Sequence, residues 1–234
     1  MAYYQRRREE EKRAFDAAQW MPRTSVGKKV KAHEITSIEQ IFHEGKRIEE
    51  TEIIDALIPD LKSEVIEITS VQRMTKNNRK QKFRAVVVVG DGRGHVGIGA
   101  GKDVEVRAAI DSATKSAKIN IVPVIMGCGS WQCACGSTHS LPMTSKGKCG
   151  SVEVILKPAP RGLGVVASEP IRKMLELAGV KDLWTFSRGR TRTKYNVLYA
   201  TYRALLGAQS MKNISHLEHA EEKAPEAAEE KAAA

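Results

Sequence analysis

The apolar positions of this chain change period along its length, and the changes mark its elements. Ala85 to Val89 is an unbroken aliphatic run that stops at Gly90-Asp91-Gly92. An Asp-Gly pair closing a β-branched run predicts a strand that turns back in a hairpin. From His95 to Gly101 the pattern alternates, with Val96, Ile98 and Ala100 on one face and His95, Gly97, Gly99 and Gly101 on the other, as a strand requires. The second face has almost no side chains, so another backbone can approach it, whether a packed helix or the phosphates of a ligand. Asp103 predicts an N-cap, and Val106, Ala109, Ile110, Ala113 and Ala117 follow at helical spacing. Arg107, Asp111, Lys115 and Lys118 line the opposite side, a solvated face that also suits a polyanion.

Before this block, Ser37 with Gln40 predicts a capping box for a short helix carrying Ile38, Ile41 and Phe42, ended by Gly45. A second helix is predicted from about Glu49 to Leu57, and Val65 to Val71 alternates as a strand. After it, Ser151 to Lys157 and Val165 to Ala167 read as strands. Ser168 and Pro170 open a helix with a stripe of Ile171, Met174, Leu175 and Ala178, which Gly179 ends. Val180 to Phe186 predicts a strand, and Tyr195 to Leu206 a helix with Val197, Leu198, Thr201, Ala204 and Leu205 toward the core. The expected organisation is a charged N-terminal arm over 1–36, a first domain with its preceding helices over 37–127, a Cys-containing linker over 128–149, a second domain over 150–210 and an acidic disordered tail over 211–234.

Composition adds a partner class. The 234 residues are 41% hydrophobic, enough for real cores. The formal charge is +10, and removing the net −4 from Leu217 onward leaves +14 for residues 1–216. With aromatics at 5%, such an excess points to a polyanion held through phosphates more than through stacked bases; the alternative is simple solubility. No apolar run approaches the ~20 residues of a membrane span, and the N-terminus lacks an apolar signal core, so a cytoplasmic protein is expected.

The charge is concentrated. Arg73, Lys76, Arg79, Lys80, Lys82 and Arg84 lie in one stretch without an acid, and Asn77-Asn78 marks its tip. Held close, six like charges repel and need counter-charge, so this segment between two strands is read as a phosphate-tracking loop rather than as a merely solvated hairpin. Arg188, Arg190, Arg192 and Lys194, interleaved with hydroxyls, form a second phosphate-type loop. Arg93, Lys102 and Arg161 complete the candidate phosphate contacts, Arg93 as a secondary one together with the glycine row.

Cys128, Cys133, Cys135 and His139 fall within a dozen residues, and Cys149 follows. In a cytosolic chain, four cysteines are reduced thiols or metal ligands rather than disulfides. The alternatives are isolated thiols or a tetrahedral structural zinc with His139 or Cys149 as the fourth ligand.

Two motifs mislead. Gly92-Arg93-Gly94-His95-Val96-Gly97 matches GxGxxG, but a strand follows it where the dinucleotide fingerprint needs a helix. Pro158-Ala159-Pro160-Arg161-Gly162-Leu163-Gly164 is similar to the phosphate loop of the galactose, homoserine and mevalonate kinases, yet Val165 and Val166 replace its two serines. No catalytic constellation stands out, so no enzyme is expected.

Ala85 to Lys102, with the Ala-rich helix after it, closely resembles the signature of the universal small-subunit ribosomal protein five family. Gly150-Ser151-Val152, Lys157 to Gly162, Ala178 to Asp182 and Asn196 with Ala200-Thr201 fit its second half. The resemblance covers about Leu61 to Gly207, and Trp20 to Pro59 and the Cys128 to Cys135 cluster look like the archaeal-type branch. It implies an α+β fold: a domain like a double-stranded-RNA-binding domain, with an antiparallel sheet and a helix, followed by a βαβ-type α/β sandwich. It also implies a ribosomal constituent that binds small-subunit ribosomal RNA beside small-subunit proteins four and eight, near the mRNA entry path. Arg73 to Arg84 would be the hairpin that affects decoding accuracy. The clustered cysteines are not part of the general family pattern.

Overall fold

The computed structural model describes residues 20–133, 135 and 137–209. Most of the expected arm and all of the expected acidic tail lie outside the described residues. The chain divides into two units, residues 1–61 and 62–234.

In the first unit α1 (Ser25–Lys31), α2 (Ile38–His43) and α3 (Thr51–Leu57) enclose Val26, Val30, Ile35, Ile38, Ile41, Ile48, Ile53 and Ile54. Helix α1 lies inside the stretch read as a charged arm; Thr24 caps it, its hydroxyl accepting the Gly27 N–H at 3.1 Å. The Glu50 carboxylate anchors its entry by accepting the N–H groups of Arg23 and Thr24 at 2.8 and 2.6 Å. The capping box before α2 does not form. Ser37 makes no side-chain cap, and Gln40 reaches past it to accept the Thr36 N–H at 3.2 Å.

The second unit contains two four-stranded sheets. Strands β1 (Lys62–Met74), β2 (Arg79–Gly90), β3 (His95–Asp103) and β4 (Ile121–Pro123) pair antiparallel in that order, with α4 (Val106–Ile119) between β3 and β4. Asp103 does not cap α4, because it extends β3 opposite Phe83; Glu105 takes the N-cap position. A side chain on Gly97, Gly99 or Gly101 would meet the backbone carbonyls of Ala117, Ala113 or Ala109. The glycine row is therefore the seat of α4. This overturns its reading as an RNA contact, since the helix occupies the space a phosphate would need.

The second sheet has the order β5-β6-β8-β7, comprising β5 (Ser145–Cys149), β6 (Val152–Pro158), β7 (Val165–Val166) and β8 (Leu183–Arg188). Only β7 and β8 are parallel, and α5 (Glu169–Ala178) makes the crossover between them, a βαβ unit. Helix α6 (Lys194–Gln209) packs along β5 and β6. Strand β5 is unpredicted: its Ser-Lys-Gly-Lys-Cys sequence has no apolar alternation, and it is an edge strand lying under α6, with Gly147 against the backbone of Ala200 and Ala204. Strand β8 starts at Leu183 rather than Val180, because the N–H groups of Lys181 and Asp182 bond the His139 carbonyl instead, both at 3.1 Å.

The face of the first sheet opposite α4 carries Val86, Val88, Val96 and Ile98 into one core with Val152, Val154, Leu156, Met174, Leu175 and Leu198. Burying each such side chain contributes about 1.5–3 kcal/mol. The sheets thus share a core, and the Tyr202 hydroxyl on α6 reinforces it by donating to the Asn120 carbonyl at 3.0 Å.

Candidate nucleic-acid interface and metal centre

The cationic stretch is mostly strand. β1 and β2 stay paired as far as Met74 and Arg79, leaving only Thr75 to Asn78 as the turn. Thr75 N–H donates to the Asn78 carbonyl at 3.0 Å and Asn78 Oδ1 accepts the Arg79 N–H at 2.7 Å, so Asn78 shapes the tip while Asn77 is exposed on it. Lys76 is exposed on the same turn. Register then sorts the charges. Arg73 pairs with Lys80, Val71 with Lys82, and Arg84 with Lys102 on the next strand. Paired residues, and residues two apart, share a face, so Arg73, Lys80, Lys82, Arg84 and Lys102 form one cationic row. Arg79, opposite Met74, points from the other face.

At the base of the ribbon the Arg84 guanidinium lies 5.2 Å over the Tyr195 ring. Arg84, Lys102, Ser112 and Tyr195 line a concave site of about 500 Å³. Tyr195 directly follows the second basic loop, where Arg188, Arg190 and Arg192 are exposed and Lys194 is half-buried. The fold therefore brings the ribbon and that loop together. Tyr195 was missed as a site residue because only tertiary contact puts its ring under Arg84.

Arg93 and Arg161 are also exposed, outside the ribbon. Arg93 sits in the β2–β3 turn, a full β2 length, roughly 35 Å, from the ribbon tip. Asp91 builds that turn by accepting the N–H groups of Arg93 and His95 at 2.8 and 3.0 Å and bonding His95 Nδ1 at 2.7 Å. Burial works to raise the Asp91 pKa, but these bonds outweigh it and hold the carboxyl below its usual range. The same turn donates from Gly92 and Gly94 to the last carbonyls of α5.

Beside this turn is the cysteine cluster. Gly127 and Ser140 exchange backbone hydrogen bonds at 2.8 and 2.9 Å, and Gly129 bonds Leu141 at 3.1 Å, closing an excursion with Trp131 89% exposed on it. The Sγ atoms of Cys128, Cys133 and Cys135 and a ring nitrogen of His139 all lie within 4.8 Å of one another. Cys128 and Cys135 are 3.5 Å apart, and His139 Nε2 is 3.8 Å from Cys133. A tetrahedral zinc with ordinary Zn–S and Zn–N bonds holds such atoms about 3.5–3.8 Å apart, so the donor set fits the ion in number, type and spacing. Cys149 is outside the group, on β5 and packed against the core, so His139 and not Cys149 completes the four.

The electrostatics differ across the cluster. A hydrogen bond from the Ser137 hydroxyl at 3.2 Å holds the Cys135 thiol down at about 6, while burial pushes Cys128 up to about 11. His139 is 4% exposed, and its Nδ1 bonds Asp182 Oδ2 at 2.8 Å. With the Nδ1 proton committed to the carboxylate, the Nε2 lone pair faces the sulfurs, the arrangement of a carboxylate–histidine–zinc site. Asp182 was missed as a site residue because it lies 43 positions from His139.

The comparisons agree with this architecture. Residues 61–125 match the family model "Ribosomal protein S5, N-terminal domain" and residues 147–218 match "Ribosomal protein S5, C-terminal domain". The chain is 54% identical over 190 residues to the small ribosomal subunit protein uS5 of Aeropyrum pernix, covering 81% of this chain and 87% of that protein. It is 51% identical over 192 residues to the uS5 of Methanoregula boonei (82% and 94%) and 49% identical over 203 residues to that of Hyperthermus butylicus (86% and 94%). The chain belongs to the ribosomal protein S5 family.

Proposed function

We propose that this protein is a non-enzymatic structural constituent of the small ribosomal subunit that binds ribosomal RNA. The observation that carries the reading is the cationic row of Arg73, Lys80, Lys82 and Arg84 along a projecting two-stranded ribbon, continued by Lys102 on β3 at its base. A two-stranded ribbon presents both edges and both faces to a partner, and each phosphate its cations neutralise releases counterions. Lys76, Arg79 and the exposed Asn77 extend the contact at the tip, while Arg188, Arg190, Arg192 and Lys194 continue it from the base. Arg93 and Arg161 serve a separate contact outside the ribbon. The more specific expectations follow from the family: small-subunit proteins four and eight as neighbours, the mRNA entry path nearby, and support of decoding accuracy by the ribbon. Cys128, Cys133, Cys135 and His139 hold a structural zinc that pins the excursion between the two sheets.

Sedimentation of a cell lysate through a sucrose gradient tests this function. The protein is expected with small subunits and ribosomes. Recovery in the soluble top fractions would replace the proposal with a free double-stranded-RNA binder, and small-subunit RNA binding no tighter than that of a generic basic protein at matched salt would overturn both.

A further inference from the structure

The geometry points to Asp182 as the residue through which the metal centre shapes the Pro158–Gly164 loop and so presents Arg161. This rests on the zinc reading above. Asp182 is 4% exposed, and both of its carboxylate oxygens are engaged. Oδ2 bonds His139 Nδ1 at 2.8 Å, while Oδ1 accepts the N–H groups of Gly162 and Gly164 at 3.0 and 2.8 Å. Both amides follow closely on Arg161, which is exposed in the turn that Gly162 completes. Ser140, next to His139, holds the start of the loop, its hydroxyl accepting the Ala159 N–H at 3.2 Å. The His139 carbonyl in turn accepts from Lys181 and Asp182. The ligand strand and the Arg161 loop therefore share one set of buried polar partners.

The physical consequence is a coupling. A zinc on Nε2 withdraws charge from the imidazole, strengthens the Nδ1–H bond to Asp182 and fixes the ring. That holds Asp182 where its other oxygen meets the two loop amides. Without the ion, only packing and the Asp182 bond hold the His139 ring, and the part-exposed Gly162 and Gly164 amides depend on a carboxylate with more freedom to turn. When that carboxylate turns away, the two amides exchange it for water and the loop loosens. The metal thereby pre-organises an arginine that does not touch it.

Amide hydrogen exchange on the full chain tests the coupling, with zinc counted by elemental analysis in the same samples. Removing zinc with a chelator is expected to speed exchange at Gly162 and Gly164 at least tenfold, while the Val86 to Val89 amides stay protected. Asp182→Asn separates the two halves. Its amide oxygen still accepts from the glycines, but its NH2 cannot accept from Nδ1–H. This variant is expected to bind zinc about 10–100-fold more weakly and to show exchange at Gly162 and Gly164 that no longer responds to the metal. Cobalt substitution adds a spectroscopic readout, since the ligand-field bands of the tetrahedral site shift in Asp182→Asn. If one zinc per chain binds and its removal leaves both glycine amides unchanged, the coupling is wrong and the zinc reading stands. If the chain retains no zinc, both are wrong.

Discussion

Gly99 and Ala113 are in direct backbone apposition: the place a side chain on Gly99 would occupy is filled by the Ala113 carbonyl oxygen. A helix can come this close to a strand only where the strand has no Cβ. Gly99→Ala is therefore expected to lower stability by about 1–3 kcal/mol or more through overpacking, with α4 displaced. Gly92→Ala is a contrast, because at φ +73° nothing surrounds its missing Cβ and the cost is the left-handed backbone alone, about 1–2 kcal/mol. Urea midpoints of the two variants, with near-ultraviolet circular dichroism, check the ranking.

Acid should weaken the β2–β3 turn. The Asp91 pKa is depressed in the folded chain, so its contribution is fully present above the unfolded carboxylate value, near 3.9. It is lost as pH falls through the folded value. Asp91→Asn is expected to lower stability at pH 7 and to flatten its decline as pH falls below about 4. Thermal unfolding of both proteins across that range checks the sign; equal pH slopes would remove Asp91 from the acid response.

Replacing Lys76, Arg79 and Lys80 together by Ala should weaken RNA binding and reduce the logarithmic salt slope by roughly one unit per lost phosphate contact. Arg93→Ala, at the other end of β2, should change affinity without altering the effect of the ribbon substitutions. Filter binding to small-subunit RNA over a salt series measures both. An unchanged slope in the triple variant would take the ribbon tip out of the interface.

Metal content distinguishes the cysteines. The wild-type chain should carry about one zinc, Cys135→Ser should lose it, and Cys149→Ser should keep it, because Cys149 lies on β5 outside the cluster. Elemental analysis of the purified variants decides this, and loss in both would mean that the ligand set is wrong.

Much of this protein is determined by its sequence alone. Period-two and period-3.6 apolar patterns follow from backbone geometry, so the aliphatic half of β2 and all of β3, α4, α5 and α6 were legible to within a few residues, as were the density of positive charge and the four clustered metal-ligand types; the cationic half of β2, without apolar alternation, was read as loop. The glycine row announced a close approach, but not by what. Tertiary structure alone decided that a helix fills it, that β5 forms from a polar segment, and that Asp182 and Tyr195 belong to sites far from them in sequence. It also divided one pool of cations between the ribbon tip and the turn at the opposite end of β2. The reason is physical: spacing along a chain fixes which residues share a face of their own element, whereas the partner that a face, a buried carboxylate or an arginine meets depends on how distant elements pack.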